Sequence, residues 1–325
     1  MRHDTRDPAL RPKLLKDIIG LDNTKRRLEI SIMAAQERGD PLMHTLIESS
    51  PGTGKTSLCH AIANEMKAKL IEINAANIKV PQDLFSVFKD MNPFDVLMLD
   101  ECHNLPRKVE DSLLTCMEDF VLNMPMGSPR EKVWIQHKIK PFTLLGATTR
   151  PGKLDIAFKS RFRNREQLDP YTDEQITQII TINADKLGVK IEDDAAKLLA
   201  QKSRRNPRLS LDRLFWVRDY YQHKSGDIIT PVLVEEAMKE QGIDDYGLTK
   251  NDRRYLMIMF YNHNCGPIGL KSLSNSLLIS DETIEVEMEP WMMEQKLLKR
   301  GSTGRYLTEP GAEYAQKLCD QIKRP

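Results

Sequence analysis

The residues whose spacing carries the most chemistry lie in ESSPGTGKTSL, positions 48 to 58. Gly52, Gly54, Lys55 and Thr56 fit the pattern G-x-x-x-x-G-K-[ST], with Ser49 standing at the opening glycine position. In such a loop, backbone N–H groups converge on phosphate oxygens at the positive end of the next helix. The two glycines permit dihedrals that side chains forbid. Lys55 then reaches the β and γ phosphates of ATP, and the Thr56 hydroxyl holds Mg2+. The expected nucleotide-binding residues here are Ser50, Pro51, Gly52, Thr53, Gly54, Lys55, Thr56 and Ser57. Serine at position 49 is small, and the glycines that must approach phosphate are both present.

Two further stretches supply the rest of a hydrolytic site. The apolar run DVLMLDECH delivers Asp100 and Glu101 together at its end, and buried carboxylates are costly unless they work with a metal or a proton. Asp100 fits a magnesium partner acting through water, and Glu101 a base that activates the attacking water. In GATTRPG, Thr148 and Thr149 are polar groups at another strand end, within reach of a γ phosphate or that water. Phosphoryl transfer rewards an added guanidinium. Arg161 in KSRFRNR and Arg208 in RRNPRLS are candidates that residue type alone does not single out.

These residues need a scaffold that brings several strand ends together. The short apolar runs HTLIE (44–48), KLIEIN (69–74), DVLMLDE (95–101) and PFTLLGATT (141–149) are separated by segments long enough for helices, which predicts a parallel sheet with crossover helices. Leu28, Ile32 and Ala35, then Leu58, Ile62 and Met66, recur at helical spacing. From Tyr171 to about Gln241 the pattern is helical throughout. The last 80 residues read as three short helices and a terminal hairpin, the anatomy of a winged helix.

Composition narrows the class. A chain of 325 residues, 40% hydrophobic, can bury two or three cores, and its 48 basic against 47 acidic residues announce no polyanionic partner. Five scattered cysteines without a C-x-x-C pair suit a reducing cytoplasm, and no apolar run is long enough for a membrane span.

The order RPKLLKDIIGLDN, SPGTGKTSL, LMLDECHNL, MEDF, PFTLLGATTRPG, SRF, RRNPR, GPIGL resembles the RuvB family of AAA+ ATPases, from about Arg11 to Tyr306. The resemblance implies an α/β AAA+ P-loop domain over 1–169, a helical lid over 170–243 and a winged-helix DNA-binding domain over 244–325. It also implies a ring-shaped homo-oligomer, a hexamer, that uses ATP and Mg2+ to drive branch migration of Holliday junctions. Carried over position by position, Lys55 and Thr56 match Walker A, Asp100 and Glu101 Walker B, and Thr149 sensor 1. Arg161 matches the finger that reaches the neighbouring subunit's ATP, and Arg208 matches sensor 2. Ile18, Ile19, Tyr171 and Pro207 stand where relatives receive adenine. Segment 121–140, with Met124, Met126, Val133, Trp134 and Ile135, takes the place of the hairpin that docks on a RuvA-type partner. Arg300 and Arg305 take wing positions expected to contact duplex or four-way-junction DNA.

The chain departs from the family's usual pattern at Ser49, Ser50, Thr53 and Cys102, at Arg205 where a glycine is usual, and at Thr303 where the wing usually carries another arginine. Those departures mark a divergent member. An ATP-binding regulatory or adaptor subunit, or a clamp-loader-like remodeller, would share the phosphate loop. Lys55, Glu101 and Arg161 favour hydrolysis over a passive switch, and the wing favours DNA over a purely protein substrate.

Overall fold

The computed structural model describes residues 10–128, 131–224 and 227–322. The chain forms two compact units, divided between Tyr171 and Thr172. In the first, α1 (Asp22–Arg38) leads to β1 (Thr45–Glu48), α2 (Lys55–Glu65), β2 (Leu70–Asn74), α3 (Pro81–Lys89), β3 (Val96–Asp100) and α4 (Arg107–Asp119). A hairpin of β4 (Val121–Ser128) and β5 (Glu131–Lys138) follows, then β6 (Thr143–Thr148), α5 (Ile156–Ser160) and β7 (Asn164–Gln167). Five strands form one parallel sheet in the order β2-β3-β6-β1-β7. Central strands of such a sheet are covered on both faces, so they read as unbroken apolar runs; β3 and β6 are buried along almost their whole length. The helical spacing in α1 buries Leu28, Ile32 and Ala35.

The edge strand β7 was not foreseen from the sequence. Its residues, NREQ, are polar and only Glu166 is buried, because an edge strand shows most of its surface to water. Glu166 is satisfied by α1: Arg27 Nε donates to both carboxylate oxygens at 3.1 Å, and Arg27 Nη2 donates as well. The ion pair thus ties the edge of the sheet to the first helix.

In the hairpin, Leu122 and Met124 belong to the domain core, whereas Ile135 is 45% exposed. The side chains of Met126, Val133 and Trp134 lie outside the described residues.

The second unit begins with the four lid helices, α6 (Asp173–Lys186), α7 (Asp193–Gln201), α8 (Pro207–His223) and α9 (Pro231–Glu240). Polar side chains start three of them: Thr172, Asn206 and Thr230 each accept from a first-turn backbone N–H. Next come α10 (Lys250–His263), α11 (Leu270–Leu277) and α12 (Asp281–Thr283), which runs through a π turn into α13 (Glu289–Glu294). The wing is β8 (Leu298–Gly301) paired with β9 (Gly304–Leu307). The hairpin is not terminal as expected: α14 (Glu309–Ile322) follows it and packs on α10, burying Ala315 and Cys319. Lid and winged helix lie within one compact unit. Among the described residues no helix is long and apolar enough to cross a membrane.

Candidate active site

Strand order assembles the site. β6 lies between β1 and β3, so the loop after β1, the acids at the end of β3 and the threonines at the end of β6 open on one edge of the sheet. The C-terminal edge of a parallel sheet is where ligands bind in α/β folds.

Gly52 and Gly54 have φ of 77° and 97°, a left-handed conformation open to glycine, and Gly54 caps the start of α2. Ser49 and Thr53, both departures from the family pattern, bond to one another at 2.5 Å between their hydroxyl oxygens, and Thr53 Oγ1 donates to Ser50 O at 2.8 Å. Serine at the opening position therefore cross-braces the loop. Lys55 is buried, its ammonium donating to the carbonyls of Ser49 at 3.2 Å and Ser50 at 3.1 Å. Burial holds its pKa below the usual lysine value against the pull of Glu101 and Asp100. The Asp100 carboxyl is pushed up by burial and then by neighbouring Glu101.

Glu101 sits in a left-handed backbone conformation, φ 49°, at the exit of β3. Its Oε2 accepts from the Thr149 hydroxyl at 2.9 Å and from Thr149 N at 3.1 Å. The neighbouring Thr148 turns inward: buried, it lies 3.0 Å from His103 Nδ1 and accepts from Arg150 N. His103 Nδ1 is also 3.2 Å from Glu101 Oε2. The two threonines therefore divide their work, one aiming Glu101 and the other bracing it through His103. Sequence reasoning missed His103; the signal was there, two residues past Glu101 in DECH.

Tyr171 is buried, and a side chain at Gly54 would lie 3.5 Å from its hydroxyl, which places the tyrosine against the phosphate loop. Burial raises its pKa to about 12. Ile18 is buried and Ile19 partly so, just ahead of α1, and Lys25 Nζ donates to Ile18 O at 2.9 Å. In the second unit Pro207 opens α8, whose N-cap Asn206 accepts from Arg208 N at 3.0 Å; the Arg208 side chain is exposed.

Arg161 is at the other end of the sheet. It precedes β7, which starts level with Thr45 at the beginning of β1, whereas the phosphate loop follows Glu48 at the end of β1. There it lines a cavity of about 760 Å³ with Arg38, His44, Glu118 and Arg163. Its Nη1 is 3.0 Å from Glu118 Oε1, while its buried Nε has no partner. His44 is held neutral. Nδ1 accepts from Leu144 N at 2.8 Å, so Nε2 donates to Met117 O at 3.1 Å, and burial lowers its pKa to about 4.

Three family models tile the chain: the Holliday junction DNA helicase RuvB P-loop domain over 10–168, the RuvB AAA lid domain over 171–244 and the RuvB C-terminal winged helix domain over 245–316. The chain belongs to the RuvB family. It is 37% identical to the Holliday junction branch migration complex subunit RuvB of Rhodopirellula baltica, covering 96% of this chain and 85% of that protein. Identity to the Fervidobacterium nodosum subunit is 38%, over 94% and 88%. The solved Thermotoga maritima RuvB Holliday junction branch migration motor superposes with a TM-score of 0.86 at 34% identity, over 95% of this chain and 98% of that one.

In this RuvB family member the two wing arginines differ: Arg305 is engaged almost wholly inside the domain, and Arg300 only in part. Arg300 and Arg305 face each other across β8 and β9 and both turn onto Glu289, which is fully buried. Arg305 Nε donates to Glu289 Oε1 at 2.9 Å and Nη2 to Glu285 Oε1 at 2.9 Å; Arg300 Nε donates to Glu289 Oε2 at 2.6 Å. Tyr255 Oη donates to Glu289 Oε1 at 2.9 Å. With 13% of its side chain exposed, Arg305 is engaged inside the domain. Thr303, at the wing tip, bonds to the Tyr306 hydroxyl.

Proposed function

We propose that this protein is an ATP-driven motor that migrates the branch point of Holliday junctions, working in the cytoplasm as a closed ring of six like subunits. The observation that carries the reading is the split of its catalytic groups between two ends of one sheet. Lys55, Asp100, Glu101 and Thr149 gather at the C-terminal edge, and Arg161 stands at the N-terminal edge. A single subunit cannot bring that arginine to its own phosphate loop, so it serves a neighbour's.

On ATP binding, Lys55 exchanges the Ser49 and Ser50 carbonyls for β and γ phosphate oxygens. Thr56 and Asp100 are the residues that would hold Mg2+, which would supply neutralisation of phosphate charge. Glu101, aimed by Thr149, orients the attacking water and takes its proton as it closes on the γ phosphorus. Arg161 from the next subunit stabilises the charge spreading over the equatorial oxygens. Ile18, Ile19 and Tyr171 would contact the adenine; Pro207 and exposed Arg208 keep the adenine-pocket and sensor 2 roles that the family resemblance gives them.

Duplex or four-way-junction DNA is the track, contacted through the winged helix. With Arg305 bound to Glu289 and Glu285, the wing's phosphate contact falls to partly exposed Arg300 and to exposed Lys299, whose ammonium lies over the Tyr306 ring. The hairpin 121–140 is the docking element for a RuvA-type partner, Ile135 being one apolar residue it leaves uncovered.

The test is ATP turnover by the purified protein without DNA, with linear duplex and with a four-way junction, each with and without a RuvA-type partner. Stimulation by the junction, raised by the partner, is expected. Turnover indifferent to DNA in every arm would favour an ATP-binding switch instead.

A further inference from the structure

The turn between α7 and α8 carries three cations in four residues, KSRR, and each is bonded to the winged helix or the segment leading into it. Lys202, buried, donates to Asp245 Oδ1 at 2.9 Å. Arg204 donates to Gly247 O at 2.8 Å and to Asp252 Oδ2 at 2.5 Å. Gly247 fits because a side chain there would come within 2.6 Å of Lys202 O. These contacts form the weld between lid and winged helix.

Arg205 is different. It lies on the surface with 42% of its side chain exposed, and it spans three elements rather than two. Its Nε donates to Asp173 Oδ1, the first residue of α6, at 3.2 Å; its Nη1 donates to Glu294 Oε1, the last residue of α13, at 2.8 Å. Its own backbone adjoins Asn206, which caps α8 at Arg208. Hydrogen bonding to Asp173 raises the guanidinium's pKa further, so its charge is permanent. The backbone adds a second, independent observation. Arg205 has φ of 49°, directly after Arg204 at 53°, a conformation that glycine adopts freely and an arginine adopts only at a cost. A side chain kept at a position better suited to glycine is doing something that glycine would not.

We propose that Arg205 is a positioning residue that couples the two ends of the second unit. Through Asp173 and Glu294 it fixes the helix leading into the wing against the start of α6, and through its own backbone, next to the Asn206 cap, against the start of α8, so that a load on the winged helix is felt at Arg208. The inference rests on the reading of this chain as a DNA-stimulated ATPase. A planar fork suits the role, since its separate nitrogens can hold two carboxylates in a fixed relation that a single ammonium cannot.

Arg205→Gly is the informative variant, because glycine fits the backbone and leaves Lys202 and Arg204 in place. DNA-free turnover, the KM for ATP and DNA affinity are expected to stay within about twofold of the parent, while junction-stimulated kcat falls at least about fivefold, the lower end of ordinary coupling between sites. Glu294→Gln should do the same, the double variant should be no worse than either single one, and Arg205→Lys should restore only part of the stimulation. Full stimulation in Arg205→Gly, or equal loss of basal and stimulated turnover, overturns the proposal. A distance distribution between spin labels at Ile182 on the lid and Lys317 on the winged helix decides it independently of any motor activity. Broadening is expected on Arg205→Gly, and an unchanged width overturns the coupling role. If the parent itself shows no stimulation by DNA, the motor reading fails, and this distance measurement still judges Arg205.

Discussion

At the phosphate loop, Lys55 is buried and Asp100 partly so, with their charges incompletely compensated, one pKa driven down by desolvation and the other up. In the wing, Arg300 and Arg305 close on Glu289, whose carboxylate also accepts from Tyr255. Both regions concentrate charge, and they use it oppositely. The first is poised for a ligand, since phosphate and a cation would repair its electrostatics; the second has spent its cations on holding a hairpin to a helix. The chemistry of a basic residue is therefore decided by the carboxylate it can reach, which residue type does not announce.

Truncations in the two regions should separate sharply. Lys55→Ala removes an ammonium that burial disfavours, so the thermal midpoint should hold or rise while ATP turnover falls by about a hundredfold or more. Arg305→Ala leaves part of a buried carboxylate uncompensated, which costs about 3 kcal/mol, and should lower the midpoint of the winged helix more than it weakens DNA binding. Weakened DNA binding at an unchanged midpoint would show that Arg305 contacts DNA after all.

A smaller effect probes the same distinction on α4 and beside β1. Glu110, buried on α4, has its pKa pushed up to about 7 by burial and by Asp155, from an ordinary 4.5. The folded state keeps this proton longer than the unfolded chain, so the stability it contributes is full below pH 4.5 and lost as pH rises through 7. His44 runs the other way: with its pKa lowered to about 4 from 6.5, its stability is present above pH 6.5 and lost as pH falls through 4. Glu110→Gln should raise stability at pH 8 by about 1 kcal/mol, leave it unchanged at pH 4 and keep the His44 acid limb. Denaturant titrations at both pH values measure it.

Four of the five strands of the sheet, the phosphate loop and the Asp100–Glu101 pair were legible in the sequence, because short apolar runs and G-x-G-K-T have few alternative meanings. The edge strand was not: NREQ lacks the alternation of a half-buried strand, and its one buried residue is a glutamate whose partner, Arg27, lies on the first helix. The helix after the wing was readable from Ala315 and Cys319 at helical spacing, but a hairpin looked like an ending. At the site, the pair Thr148–Thr149 was visible, while its division between His103 and Glu101 required the sheet register. Arg305 misled because Glu285 and Glu289 sit on a separate helix, while the glycine usual in the family at position 205 was the hint of the left-handed backbone that Arg205 adopts.

The central claim is that hydrolysis needs Glu101 of one subunit and Arg161 of the next, and mixing two inactive variants tests it most directly. Glu101→Gln and Arg161→Ala, each assayed alone with junction DNA and ATP, should be nearly silent while still binding ATP. Mixed in equal amounts, they should regain turnover, because some interfaces then pair an intact Glu101 with an intact Arg161. Substantial turnover by Arg161→Ala alone, or no recovery in mixtures shown to assemble, would contradict a shared site.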